Sequence, residues 1–90
     1  MTDFPSRERI DRWLWHARVV RTRLAAAALV AEGLVRVNGA RVTQPAHAVR
    51  QGDVLTIALD ARVRLLKVEG FAERRSDAAA ARALYSEISK

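Results

Sequence analysis

The sequence predicts an α+β fold: two N-terminal helices, arranged as a helix-turn-helix, lead into a small antiparallel β-sheet, and one more helix closes the chain. Three observations predict it. Apolar residues in the first third recur at helical spacing, the pattern changes to period two after Gly33, and an alanine-rich stretch behind Ser76-Asp77 restores a helical pattern. Ninety residues fit one domain spanning 1–90, with no room for a second core.

Met1 to Pro5 reads as a loose leader, with Pro5 and Ser6 offering a helix start. From Ser6 onward Ile10, Trp13, Leu14 and Ala17 fall at i, i+3, i+4 and i+7, one buried helical stripe. Thr22 is a natural N-cap for a second helix over residues 23–32, whose four consecutive alanines favour helix and allow close packing. Gly33 stands where a left-handed residue ends a helix.

Val35, Val37 and Val42 then alternate with polar residues around Asn38-Gly39, a strong hairpin signal. Residues 43–49, with Pro45, read as a loop. Gln51-Gly52-Asp53 turns into a strand over 54–59, and Asp60-Ala61 turns again into a long strand over 62–71. Ser76-Asp77 caps a last helix over 78–88, with Ala80, Leu84 and Ile88 on one stripe.

Charge narrows the function. Sixteen basic residues, fourteen of them arginine, stand against ten acids, for a net charge of +6. Residues 1–50 hold nine arginines and four acids; residues 51–90 hold seven basic residues and six acids. A basic half in a small domain is the footprint of a polyanion partner, although arginine beside seventeen alanines also fits GC-rich coding. No cysteine is present, which excludes disulfides and thiolate metal sites. The longest apolar stretch, Leu24 to Ala31, is too short to span a bilayer, and no signal peptide is visible, so a cytoplasmic protein without membrane contact is expected. No phosphate loop, nucleophile elbow, metal cluster or paired carboxylates appear, so no enzyme activity, cofactor or small-molecule substrate is expected.

The candidate RNA-binding residues are Arg9, Arg12, Trp15, Arg18, Arg21, Thr22, Arg23, Arg36, Asn38 and Arg41. Arg21 and Arg23 flank a helix N-terminus, where the helix dipole already disfavours cations; an arriving phosphate would relieve both. Trp13 and Trp15 lie about 200° apart on the first helix, so one face cannot bury both. With Trp13 in the core, Trp15 either offers a stacking platform beside Arg18 or packs beneath the C-terminal helix. Arg9, Arg12, Arg36 and Arg41 extend the basic patch if helix and hairpin pack side by side. Asn38 is first a turn residue and second a contact. Asp11 among arginines is expected to orient them by internal salt bridges, and His16 and His47 to be surface or satisfied histidines.

Arg9-Ile10-Asp11, Leu14, Thr22-Arg23 with the alanine run, Gly33, Val35 and Val37-Asn38-Gly39, continued by Pro45, Val49 and Gly52-Asp53, resemble the RNA-binding domain family named for ribosomal small-subunit protein S-four. The resemblance covers about residues 9–59. It implies a helix-turn-helix and hairpin that clasp structured RNA, with Arg9, Arg12, Thr22, Arg23 and the hairpin arginines toward it. Trp13-Leu14-Trp15, and Arg74-Arg75 ahead of an alanine-rich helix with Leu84-Tyr85, resemble the free-standing, ribosome-associated heat-shock branch of that family. That likeness implies ribosomal RNA of the large subunit as partner, particularly subunits still holding a peptidyl-tRNA, with tRNA as a further partner. A monomer is expected. An accessory of an RNA-modifying enzyme, a basic adaptor for an acidic protein, and a DNA binder remain the alternatives.

Overall fold

The computed structural model describes residues 6–88; the leader expected at 1–5 lies outside them. Ten elements follow in order: β1 (Arg7–Arg9), α1 (Ile10–His16), α2 (Arg23–Ala31), β2 (Val35–Val37), β3 (Ala40–Val42), β4 (Ala48–Arg50), β5 (Val54–Leu59), β6 (Arg62–Val68), α3 (Ala78–Arg82) and β7 (Tyr85–Glu87). The strands form a two-stranded sheet, β1-β4, and a five-stranded sheet in the order β3-β2-β5-β6-β7, with every pairing antiparallel. The class is α+β, as the sequence predicts.

Local signals act where expected. Ile10, Trp13, Leu14 and Ala17 are all buried, together with Ala26 and Val30 of α2 and Val35, Leu55, Ile57, Leu66 and Val68 of the sheet. Trp13 donates its indole N–H to the Gly70 carbonyl at 3.0 Å, so its one polar atom is satisfied inside the core. The Thr22 hydroxyl accepts from the Ala25 N–H at 3.0 Å and starts α2; such a cap stabilises a helix by about 1 kcal/mol. Gly33 has φ +79°, the left-handed conformation that stops the helix. Asn38 and Gly39, at φ +52° and +87°, make the two-residue turn between β2 and β3.

Four expectations are corrected. The first helix begins at Ile10, not near Ser6, because residues 7–9 pair with residues 48–50. The stretch 43–49, read as a loop, ends in the β4 strand that receives β1. The last helix stops at Arg82: the Asp77 carboxylate caps it as expected, accepting from the Ala80 N–H at 2.9 Å, but the chain then turns and Tyr85–Glu87 pairs with β6. Ile88 is 38% exposed and Leu84 reaches the core from the turn, so their helical spacing is coincidental. The β6 strand ends at Val68, three residues before Phe71.

Candidate nucleic-acid interface

Two buried carboxylates organise the N-terminal arginines. Asp11, in the first turn of α1, is 3% exposed. It accepts a forked pair of bonds from Arg9, Nε to Oδ1 at 3.1 Å and Nη2 to Oδ2 at 3.0 Å. It also accepts the Arg12 backbone N–H at 2.7 Å, and its Oδ1 lies 3.8 Å from Arg23 Nη2. Glu8 of β1, its side chain 8% exposed, sits 3.6 Å from Arg12 Nε. The three guanidinium side chains keep 51%, 44% and 44% of their surface exposed while their acids are buried. The arrangement fixes cations at the surface without neutralising them from outside. Asp11 thus orients arginines, as expected of it.

Behind this layer lies His16, 2% exposed, with Nδ1 3.6 Å from Glu8 Oε1. Neither of those two atoms has a hydrogen-bond partner. Burial pushes the Glu8 carboxyl up from its ordinary value, against the pull of Arg12 and Arg23. Burial likewise pushes the His16 imidazole down from 6.5, and Arg12 adds to the fall. His16 is therefore neutral near pH 7. The reading of His16 as a surface or satisfied histidine is corrected: it is buried, with one ring nitrogen unpaired.

The remaining candidates fall into separate groups. Arg18 adopts φ +59°, unusual for a residue with a side chain, and its Nε donates to the Ser76 carbonyl at 2.7 Å. Arg75 donates to the carbonyls of Trp15 (3.0 Å) and Val20 (3.4 Å), and Arg12 reaches the Glu73 carbonyl at 3.2 Å. Residues 73–76 are thereby strapped across the end of α1. Trp15 is half-buried, with the Arg75 guanidinium carbon 5.8 Å from its ring centroid, so the segment ahead of α3 covers part of the platform. Arg21 is exposed and has no ion pair among the described residues. Thr22 is occupied as a cap.

Arg36 and Arg41 face each other across the β2-β3 hairpin, and their nearest contacts are with the hairpin and Gly33 rather than with Arg9, Arg12 or Arg23. Asn38 commits both ends of its amide to the fold: Nδ2 donates to Asp53 Oδ1 at 3.1 Å, and Oδ1 accepts from the Val54 N–H at 2.9 Å. Sequence reasoning passed over Glu8 and a second opposed arginine pair, Arg7 and Arg50 across β1-β4. The i, i+4 spacing of Glu8 and Arg12 was the one visible hint of the first. Among the described residues no three His, Cys, Asp or Glu side chains come together as a metal ion would need. No described helix is long and apolar enough to cross a membrane.

Residues 8–55, from β1 through the first strand residues after the turn at 51–53, match the S4 domain family model. The chain belongs to the S4 domain family. The S4 domain span contains Asp11, Glu8 and every arginine they hold, and ends before β6 and β7. The chain is homologous to heat shock protein 15 of Escherichia coli, at 34% identity over 82 residues, 91% of this chain and 61% of that protein. It therefore spans about three fifths of the length of this curated relative. Small ribosomal subunit protein uS4 of Parvibaculum lavamentivorans is 41% identical over 49 residues, 54% of this chain and 24% of the relative. A trimeric structure of Vibrio cholerae heat shock protein 15 superposes with a TM-score of 0.85 at 33% identity, covering 91% of this chain and 82% of that one. An S4 domain shared with a ribosomal protein supports binding to RNA.

Proposed function

We propose that residues 1–90 act as one non-catalytic RNA-binding domain that grips structured ribosomal RNA, associating in the cytoplasm with the large ribosomal subunit in the rescue or recycling of stalled nascent-chain complexes. One observation carries this reading: Arg9, Arg12 and Arg23 are exposed at the surface while the carboxylates that hold them are buried. Burying Asp11 and Glu8 costs desolvation energy, and the return in fold stability from half-exposed partners is small. The geometry makes sense when an anion covers the guanidiniums, since side chains already held in place by their acids can turn their remaining N–H groups to phosphate oxygens with little further loss of freedom.

The three arginines come from one chain, so a single copy is the binding unit in this reading. Arg21 beside them adds a phosphate contact at the start of α2, and α1 with α2 form the helix-turn-helix that enters RNA by shape. Arginines neutralise phosphates and release counterions, while the fit is set by RNA shape more than by base sequence. With about 5–7 phosphates neutralised, log affinity falls by roughly 4–6 per decade of salt.

Co-sedimentation with ribosomal subunits across a salt series, with and without nuclease, tests the reading. Salt-sensitive migration with the large subunit that nuclease abolishes is expected. A protein that stays at the top of the gradient at low salt contradicts the ribosomal assignment.

A further inference from the structure

The outward face of the five-stranded sheet holds a second basic site, separate from the Asp11 cluster. Val35, Val37, Val42, Leu55 and Ile57 point into the core. Side chains alternate along a strand, so Arg36, Arg41 and Thr56 share the opposite face. The register places Arg41 opposite Arg36, and Arg36 opposite Thr56. Like charges directly opposed on one face are destabilising by a few tenths of a kcal/mol, and among the described residues neither guanidinium has a carboxylate partner to relieve it. The stem of Arg41 lies against Gly33, where a Cβ would come within 3.2 Å of its Cδ; the glycine lets the side chain lie flat on the sheet end.

These residues line a groove of about 260 Å³ together with Gly33, Leu34, Ala58 and Val63. Leu34 and Val63 are 39% and 57% exposed, and Val63 stands opposite Ala58. A groove with two guanidiniums and a hydroxyl at one end and bare apolar side chains at the other can hold a phosphate and cover the face of one base. Its volume lies below the roughly 300–1,000 Å³ of sites for larger ligands, suiting one nucleotide rather than a duplex.

We propose that this groove seats one unpaired nucleotide of the bound RNA, with its phosphate between Arg36 and Arg41 and its base against Leu34 and Val63. The inference rests on the RNA-binding reading above and adds to it a preference for structured RNA that carries a single-stranded extension. The helical cluster holds the structured part; the sheet face holds the strand that leaves it.

The test compares two probes, a blunt RNA hairpin and the same hairpin with a short uridine tail, by fluorescence anisotropy. The tail is expected to raise wild-type affinity by about tenfold, the effect of one charge-assisted phosphate contact. Val63→Asp, at an exposed position, is expected to abolish that gain and leave hairpin affinity within about twofold, as an exposed surface change should. Arg36→Ala/Arg41→Ala is expected to abolish the gain as well. A wild type that binds the hairpin but gains nothing from the tail overturns the proposal, as does a gain that survives in both variants. Failure to bind either probe overturns the RNA-binding reading itself and takes this site with it.

Discussion

Arginine meets carboxylate at two ends of this molecule, with opposite burial. In the N-terminal cluster the acid is inside and the base outside: the Asp11 side chain is 4% exposed and that of its partner Arg9 51%. At the β6-β7 edge the base is inside and the acid outside: the Arg64 side chain is 13% exposed and that of Glu87 45%. Arg64 makes two forked bonds to Glu87, at 2.9 and 2.8 Å, and stacks 5.6 Å from the Tyr85 ring centroid. The contact holds Arg64 firmly protonated and holds Glu87 below the ordinary carboxylate value. The same chemical pair thus does two jobs. Where the cation is buried, the pair fastens β7 to β6; where the acid is buried, the pair displays the cation.

The difference can be sharpened first by removing the displayed charges. Arg9→Ala/Arg12→Ala/Arg23→Ala is expected to weaken binding to a structured ribosomal RNA fragment by about a hundredfold or more, and to make the salt slope shallower by about two to three. An unchanged salt slope would separate these arginines from the RNA.

Arg64→Ala is the mirror experiment. It removes hydrogen bonds between charged groups and the cover over Tyr85, so urea unfolding should show a loss of about 1–2 kcal/mol. RNA affinity at a temperature where both proteins are folded should change less than about twofold, the range of an ordinary distant substitution. A large loss of RNA binding with full stability would erase the contrast between the two ends.

A smaller effect distinguishes the buried layer behind the displayed arginines. His16 is neutral in the folded protein because its value is held below 6.5, so the unfolded chain takes up the proton first. The stability this contributes is present above 6.5 and is lost as pH falls through it. Glu8, pushed up, acts with the opposite sign: the folded form holds its proton longer, and stability from it grows as pH falls. Melting temperature is expected to drop between about pH 7.5 and pH 6 in the wild type and to drop less in His16→Gln. Equal drops in the two proteins would mean that His16 carries none of the pH dependence.

Much of the fold was legible because its signals are local. The Thr22 cap, the stop at Gly33 and the Asn38-Gly39 turn each work within a few residues, and each stands where it was expected. The α1 stripe was legible because Ile10, Trp13, Leu14 and Ala17 are large or apolar at one period. What escaped depends on distant partners. The β1 strand is Arg-Glu-Arg, with no apolar residue to announce it, and exists because β4 lies beside it. Tyr85–Glu87 is a strand because the β6 edge is open, although alanines before it and Leu84 and Ile88 around it spell a helix.

The candidate site was half legible for the same reason. Charge counting and the placement of Asp11 located the arginines and their organiser. It could not say that Glu8 turns inward from a strand, that Arg75 comes back over Trp15, or that the hairpin arginines occupy a different face from the helical ones. Those facts live in the tertiary packing.

If the buried Asp11 carboxylate aims exposed arginines at RNA, Asp11→Asn is the substitution that separates aim from charge. The substitution raises the net charge by one unit and removes no arginine, so charge alone would tighten RNA binding. Affinity is to be measured by anisotropy at a temperature where circular dichroism shows both proteins folded. Weaker binding is expected, because Arg9 and Arg23 lose the carboxylate that aims them. Binding as tight as the wild type, or tighter, would contradict it and reduce the cluster to bulk positive charge.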